Sequence, residues 1–279
     1  MEKNSNTSII KNFFNGLFLG VTLLAPGLSV ATIAMVLRIY AKLLDSISDF
    51  FSPRFKSSLR FLIPLGIGGA IAVLLSSRVI SWAMSNHHYQ THFLFLGLAI
   101  GAVPMLFHTV DAKNTFQKKH YITLVIAFVT IAALSFVNIP ETENIITSLD
   151  TMTVIQLLLT GAIATAAMLL PGLSAALMLL LLGTYATLTH AVSEFNFLIL
   201  AIAGVGGIIG LILSSRGIRY LLKNYLSLTY AASIGMVIGS VVVIFPGVPR
   251  EGIPIMTSIV MFLVGFAVVL LIDARGKKN

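Results

Sequence analysis

A Pro-Gly-x-Ser sequence occurs twice in the chain, inside APGLS at 25–29 and LPGLS at 170–174. Proline removes a backbone donor and breaks a helix, glycine lets the chain turn, and serine suits the position that opens a new helix. A helix that starts at such a turn offers unpaired N–H groups and a partial positive charge, and these attract anions. Ser29 and Ser174 stand at those starts, so a phosphate, a carboxylate or another small anion is the ligand the motif suits. The plainer alternative is that each Pro-Gly only kinks a helix and its serine bonds back to its own backbone. Arg78 and Arg216 close two matched LSSR blocks. Arginine grips phosphate through its planar fork, or simply extends to the lipid interface.

Other ionisable residues are sparse. Asp45 and Asp49 fall on His190 and Glu194 when the chain is compared with itself; the four can exchange protons with bulk water, or mark solvated ends. His87, His88 and His92 have no carboxylate partner at helical spacing and read as an interfacial loop, so no metal site is expected. No cofactor is expected either. With no cysteine, the chain has neither disulfide nor thiolate chemistry. Segments 13–44 and 154–189 contain no Asp, Glu or His, which argues against a hydrolase that needs a positioned base or metal-binding carboxylates.

The elements that carry these residues are apolar. Of 279 residues, 57% are hydrophobic and 10% charged, and the mean hydropathy is +0.97; soluble domains carry about 25% charge. Several runs reach the length needed to cross about 30 Å of hydrocarbon. The chain therefore reads as an all-α integral membrane protein, which excludes a soluble enzyme and a secreted scaffold. Its formal charge of +8 is spread between apolar runs rather than along one stripe, so no nucleic acid is expected. The polar first dozen residues and the apolar stretch after them outline a signal peptide, but the same segment recurs in mid-chain, so it reads as part of the mature fold.

The chain is a repeat. At an offset of 145, Pro26 falls on Pro171, Ser29 on Ser174, Ala31 on Ala176 and Tyr40 on Tyr185. At an offset of 138, GIGGA (66–70) falls on GVGGI (204–208), LSSR (75–78) on LSSR (213–216), and Gly97 and Gly101 on Gly235 and Gly239. Residues 1–137 form the first unit, with a hairpin at 13–44 and spans at 61–77, 92–107 and 121–137. Residues 138–279 form the second, with a hairpin at 154–189 and spans at 197–213, 228–245 and 256–272. Segment 13–25 is only about 20 Å of helix at 1.5 Å per residue, so its hairpin is read as re-entrant. For the longer 154–189, two full spans remain an alternative. With the N-terminus inside, every Lys and Arg except Arg78 and Arg250 lies on the inner side, a strong positive-inside signal. Three spans per unit then turn the second upside down. Inverted repeats are the architecture of alternating-access transporters.

With their continuations the two motifs read APGLSVATIAMVLRIY (25–40) and LPGLSAALMLLLLGTY (170–185). This paired pattern resembles the polyprenyl-phosphate transporter (PopT) family over nearly the whole chain. The resemblance implies recycling of undecaprenyl phosphate, the bacterial cell-wall lipid carrier, across the cytoplasmic membrane, with both termini cytoplasmic. It also implies a headgroup site at Pro26, Gly27, Ser29, Thr32, Pro171, Gly172 and Ser174, and a polyprenyl phosphate as partner among the membrane lipids. The chain departs from the family pattern at Val30-Ala31, where two glycines are usual, and at Arg38, where its mate is Gly183. Two other functions stay open on the residues alone: an integral membrane polyprenyl-diphosphate phosphatase, and a transporter of a small soluble anion.

Overall fold

The computed structural model describes residues 2–24, 29–50, 52–136, 146, 149–247 and 252–276, and within them the chain is helical. The first half contains α1 (Glu2–Leu24), α2 (Val30–Val36), α3 (Tyr40–Ser48), α4 (Phe55–Asn86), α5 (His88–Thr109), the single turn α6 (Ala112–Thr115) and α7 (Lys118–Ala133). The second contains α8 (Thr151–Leu169), α9 (Ala175–Leu181), α10 (Tyr185–Ser193), α11 (Phe197–Asn224), α12 (Leu226–Ile244) and α13 (Gly252–Gly276). Six helices among the described residues are long and apolar enough to cross a membrane, on α4, α5, α8, α11, α12 and α13. The apolar part of α1, Ile9–Leu23, is shorter.

Two features depart from the expected segments. The spans expected at 61–77 and 197–213 lie inside helices of 32 and 28 residues, because the LSSR blocks do not end them. Arg78 and Arg216 are exposed helical residues, whose long stems let a helix continue past its apolar stretch. Each Pro-Gly arm also carries a second break. Arg38 and Gly183, mates in the repeat, both adopt left-handed backbone, with φ of 58° and 65°. The break divides the second arm into α9 and α10, bent by 116°. It likewise divides the first into α2 and α3. Glycine takes this conformation freely, whereas a side chain is strained there by about 1 kcal/mol.

Local chemistry sets some boundaries. Asp150 opens α8 by accepting the Thr153 amide at 2.8 Å. The Thr153 hydroxyl and amide also hold the Asp150 carboxyl below its ordinary pKa. Its contribution is therefore present at neutral pH and lost only as the pH falls through that lowered value.

The repeat reappears as matched packing. A methyl group at Gly16 would overlap the Leu65 carbonyl, and one at its mate Gly161 would overlap that of Ala203, the mate of Leu65. Gly68 meets Phe13 as Gly206 meets Leu158. Thus α1 packs on α4 as α8 packs on α11. The remaining helices exchange partners between halves: Gly97 of α5 lies on Phe262 of α13, and Gly235 of α12 lies on Leu124 of α7. Close approach of backbones through small residues is how helices associate where no hydrophobic force separates protein from lipid. In the middle sits α2, all seven of its residues buried, in a core with Leu106, Leu169, Ile234 and Val237.

Gly161→Ala should therefore destabilise the protein by about 1–3 kcal/mol through overpacking. Gly204→Ala, with open space around its Cα, should be neutral or stabilising by up to about 1 kcal/mol. Thermal unfolding in detergent compares the two, and equal effects would refute the matched-contact account.

Candidate functional site

The turn after α8 interrupts the helix inside the protein, leaving backbone groups that must find partners. Side chains of the first arm supply them. The Tyr40 hydroxyl donates to the Leu169 carbonyl at 2.8 Å, the Ser29 hydroxyl donates to the Leu170 carbonyl at 2.8 Å, and the Gly172 amide donates to Thr32 Oγ1 at 3.2 Å. Gly172 has φ +78°, and any Cβ there would run into the Met236 backbone. Pro171 is buried beside it. The structure thus brings together Ser29, Thr32, Pro171 and Gly172, far apart in sequence, at one crossing. Pro26 and Gly27 lie outside the described residues. Ser29 stands at the N-terminal cap of α2 but does not cap it; its hydroxyl serves the other turn instead. Ser174 also makes no cap bond. It lines a cavity of about 170 Å³ with His92 and Ser240.

Around the crossing, α3 separates two unlike spaces. Tyr40, Leu44 and Asp45 face a cavity of about 630 Å³ that also takes in Arg216, Arg219 and Lys223 from one face of α11. Tyr40 continues into a neighbouring space of about 440 Å³ with Arg38, His108, Tyr230 and Asp273. On its other face, Leu43, Ile47 and the following Phe50 line an apolar cleft of about 740 Å³ between α4 and α11, which reaches Val30 and Leu169 at the crossing. This division follows from α3's period: 40, 41, 44 and 45 share one side of the helix, 43, 47 and 50 the other. An anionic group suits the one space and a long apolar chain the other.

Ion pairs hold the polar side. Arg38 binds Asp273 at 2.9 Å, tying the first arm to α13. Arg219 binds Asp49 at 2.9 Å and Asp45 at 3.6 Å, tying α3 to α11, and Arg54 reaches Asp49 at 3.3 Å. Of the four groups read as proton carriers, Asp45 and Asp49 therefore sit in an arginine network at one end of α3. His190 and Glu194 are exposed at the end of α10, so the structure does not bring the four together. Arg216 lines the basic cavity and Arg78 lines neither large space.

Sequence reasoning missed Arg219, Tyr230 and Asp273, and singled out Tyr40 and Tyr185 only as mates in the repeat. The basic face at 216, 219 and 223 was legible from its helical spacing. The pairing of Arg219 with Asp49 was not, because 170 residues separate them.

A family model described as undecaprenyl phosphate translocase-like matches residues 19–260. The chain is 38% identical over 275 residues to the polyprenyl-phosphate transporter of Staphylococcus aureus (strain NCTC 8325 / PS 47), covering 96% of this chain and 97% of that protein. It is 30% identical over 252 residues to the polyprenyl-phosphate transporter of Vibrio cholerae serotype O1 (strain ATCC 39315 / El Tor Inaba N16961), covering 85% and 78%. No solved structure matches the chain.

Arg38 offers a direct test of the local geometry. Arg38→Ala loses the ion pair and keeps the left-handed strain, whereas Arg38→Gly loses the ion pair and relieves the strain. The glycine variant should be the more stable of the two by about 1 kcal/mol, measured by unfolding in detergent.

Proposed function

The chain belongs to the undecaprenyl phosphate translocase-like family, and from that premise we propose that it moves undecaprenyl phosphate across the bacterial cytoplasmic membrane, from the outer to the inner leaflet, so that the carrier re-enters cell-wall assembly. The observation that carries the reading is the division made by α3, with an apolar cleft on one face and a basic cavity on the other. The polyprenyl chain lies in the cleft, and Arg216, Arg219 and Lys223 hold the phosphate on the inner side. The crossing is the barrier between leaflets. There the Ser29 hydroxyl turns from the Leu170 carbonyl, and the Thr32 hydroxyl and Gly172 amide part from one another, each to donate to a phosphate oxygen, while Ser174 meets the headgroup on the other side.

The units work as inverted repeats, residues 1–137 and 138–279, each with a re-entrant Pro-Gly arm. What supports opposite orientation is that α3 meets the beginning of α4, where Lys42 lies over Phe61, and the later part of α11, where Ser48 bonds Ser215. The mated helices α4 and α11 then run in opposite directions past it. Both termini lie in the cytoplasm, as the distribution of Lys and Arg favours. A hydrolytic role has little support, since the groups meeting at the crossing are hydroxyls and backbone amides rather than carboxylates or imidazoles.

Purified protein in liposomes should accelerate leaflet exchange of undecaprenyl phosphate without releasing inorganic phosphate from the diphosphate form. Ser29→Ala and Ser174→Ala should each slow exchange by roughly tenfold, equivalent to about 1.4 kcal/mol. Release of phosphate, or exchange indifferent to the protein, would overturn the reading.

A further inference from the structure

The two arms have matching sequences but do not occupy matching environments. All seven residues of α2 are buried, and none of α9 is. Tyr40 is 4% exposed and its mate Tyr185 39%. The first arm reaches across the molecule, with α3 packed on both α4 and α11. The second does not: α10 lies along α11 and α9, without comparable packing on α4. Val192 and Phe195 at the end of α10 are left exposed. Between α9 and α12 lies the gap of about 170 Å³ bordered by Leu177, Leu180, Val243 and Ile244.

The contact that joins α3 to α11 has a counterpart in the sequence. Ser48 bonds Ser215 at 3.1 Å. At offsets of 145 and 138 their mates are also serines, Ser193 on α10 and Ser77 on α4. Beside the first pair, Asp49 binds Arg219. The mate of Asp49 is Glu194, and the cation available to it on α4 is Arg78, one helical turn before Ser81, the mate of Arg219. The longer Glu side chain suits that offset. Arg78 is one of the two outer-side exceptions in the charge distribution and lines neither large space of the site.

We propose that Arg78 and Glu194 are positioning residues for the opposite state of the transporter, in which α9–α10 docks between the halves, position 193 comes beside position 77 and Glu194 pairs with Arg78, while α2–α3 withdraws. The first arm completes its docking on the turn after α8. Here the Leu169, Leu170 and Gly172 backbone is already engaged by Tyr40, Ser29 and Thr32. Docking α10 would bury Val192 and Phe195 and close the gap beside α9. Undocking α3 would part the Arg219 pairs and open the cleft at its other end. The proposal rests on the alternating-access reading above and assigns the contacts that its second state requires.

The chain has no cysteine, so an introduced pair reports its own proximity. A disulfide requires Cα atoms within about 7 Å, and its formation drains even a state populated at a few per cent. The full-length Ser77→Cys/Ser193→Cys and Ser48→Cys/Ser215→Cys double variants, in membrane vesicles without added lipid phosphate, are oxidised and their joined peptides identified by mass spectrometry from the monomer band. Both pairs should crosslink, the second faster, and adding undecaprenyl phosphate should change the ratio of the two. No 77–193 link where 48–215 links to completion would overturn the proposal. Should the cysteine variants fail to fold, Arg78→Glu and Glu194→Arg serve as the second test. Each alone should slow leaflet exchange at least fivefold, and the double exchange of charges should restore it; a double variant as slow as either single one would also count against the docked pair. The crosslink needs no substrate, so a 77–193 link in a protein that exchanges no lipid would overturn the substrate assignment and keep the docking.

Discussion

Hydrocarbon offers no hydrogen bonds, so every break in a helix at membrane depth has to be satisfied by protein. At the turn following α8 this is met in one place by one arm. Two carbonyls and an amide of residues 169–172 are matched by the hydroxyl groups of Tyr40, Ser29 and Thr32. The remaining architecture can be understood as support for that match. The buried helix α2 presents Ser29 and Thr32, and α3 presents Tyr40, while the glycine contacts of α1 with α4 and of α8 with α11 hold both arms at the depth where they cross.

The same residues also explain why the crossing can be a working part rather than a fixed joint. Hydroxyl groups give and accept bonds with little directional strain, and a phosphate oxygen can accept in place of a carbonyl or of the Thr32 hydroxyl. The first arm, moreover, is held by features of quite different character on its two sides. Apolar packing in the cleft is indifferent to small sliding, whereas the Arg219 and Arg38 pairs are specific and close to solvent, where ion pairs contribute modestly. Arg38 shows how this chain has diverged from its own repeat. The position calls for left-handed backbone, its mate supplies glycine, and arginine accepts the strain while gaining Asp273 as a partner.

Membership of the family and the all-helical membrane class were legible in the linear chain, because each depends on composition or on short recurring motifs. Helix ends were less so. The LSSR blocks read as boundaries, since charge usually ends an apolar run, yet α4 and α11 continue through them. The second break in each arm was hidden because apolar sequence on both sides gives no sign of it, except for Gly183.

The sequence by itself determined that two Pro-Gly arms exist, that they are mates, and that their serines and threonine are the polar groups deep in an apolar chain; periodicity and repetition are local properties and survive without coordinates. Only the tertiary structure decided which hydroxyl meets which carbonyl, that α3 divides an apolar space from a basic one, and that α2 is buried while α9 is not. Those outcomes depend on contacts between residues more than a hundred positions apart, and two segments that share a motif take different surroundings when the chain around them differs.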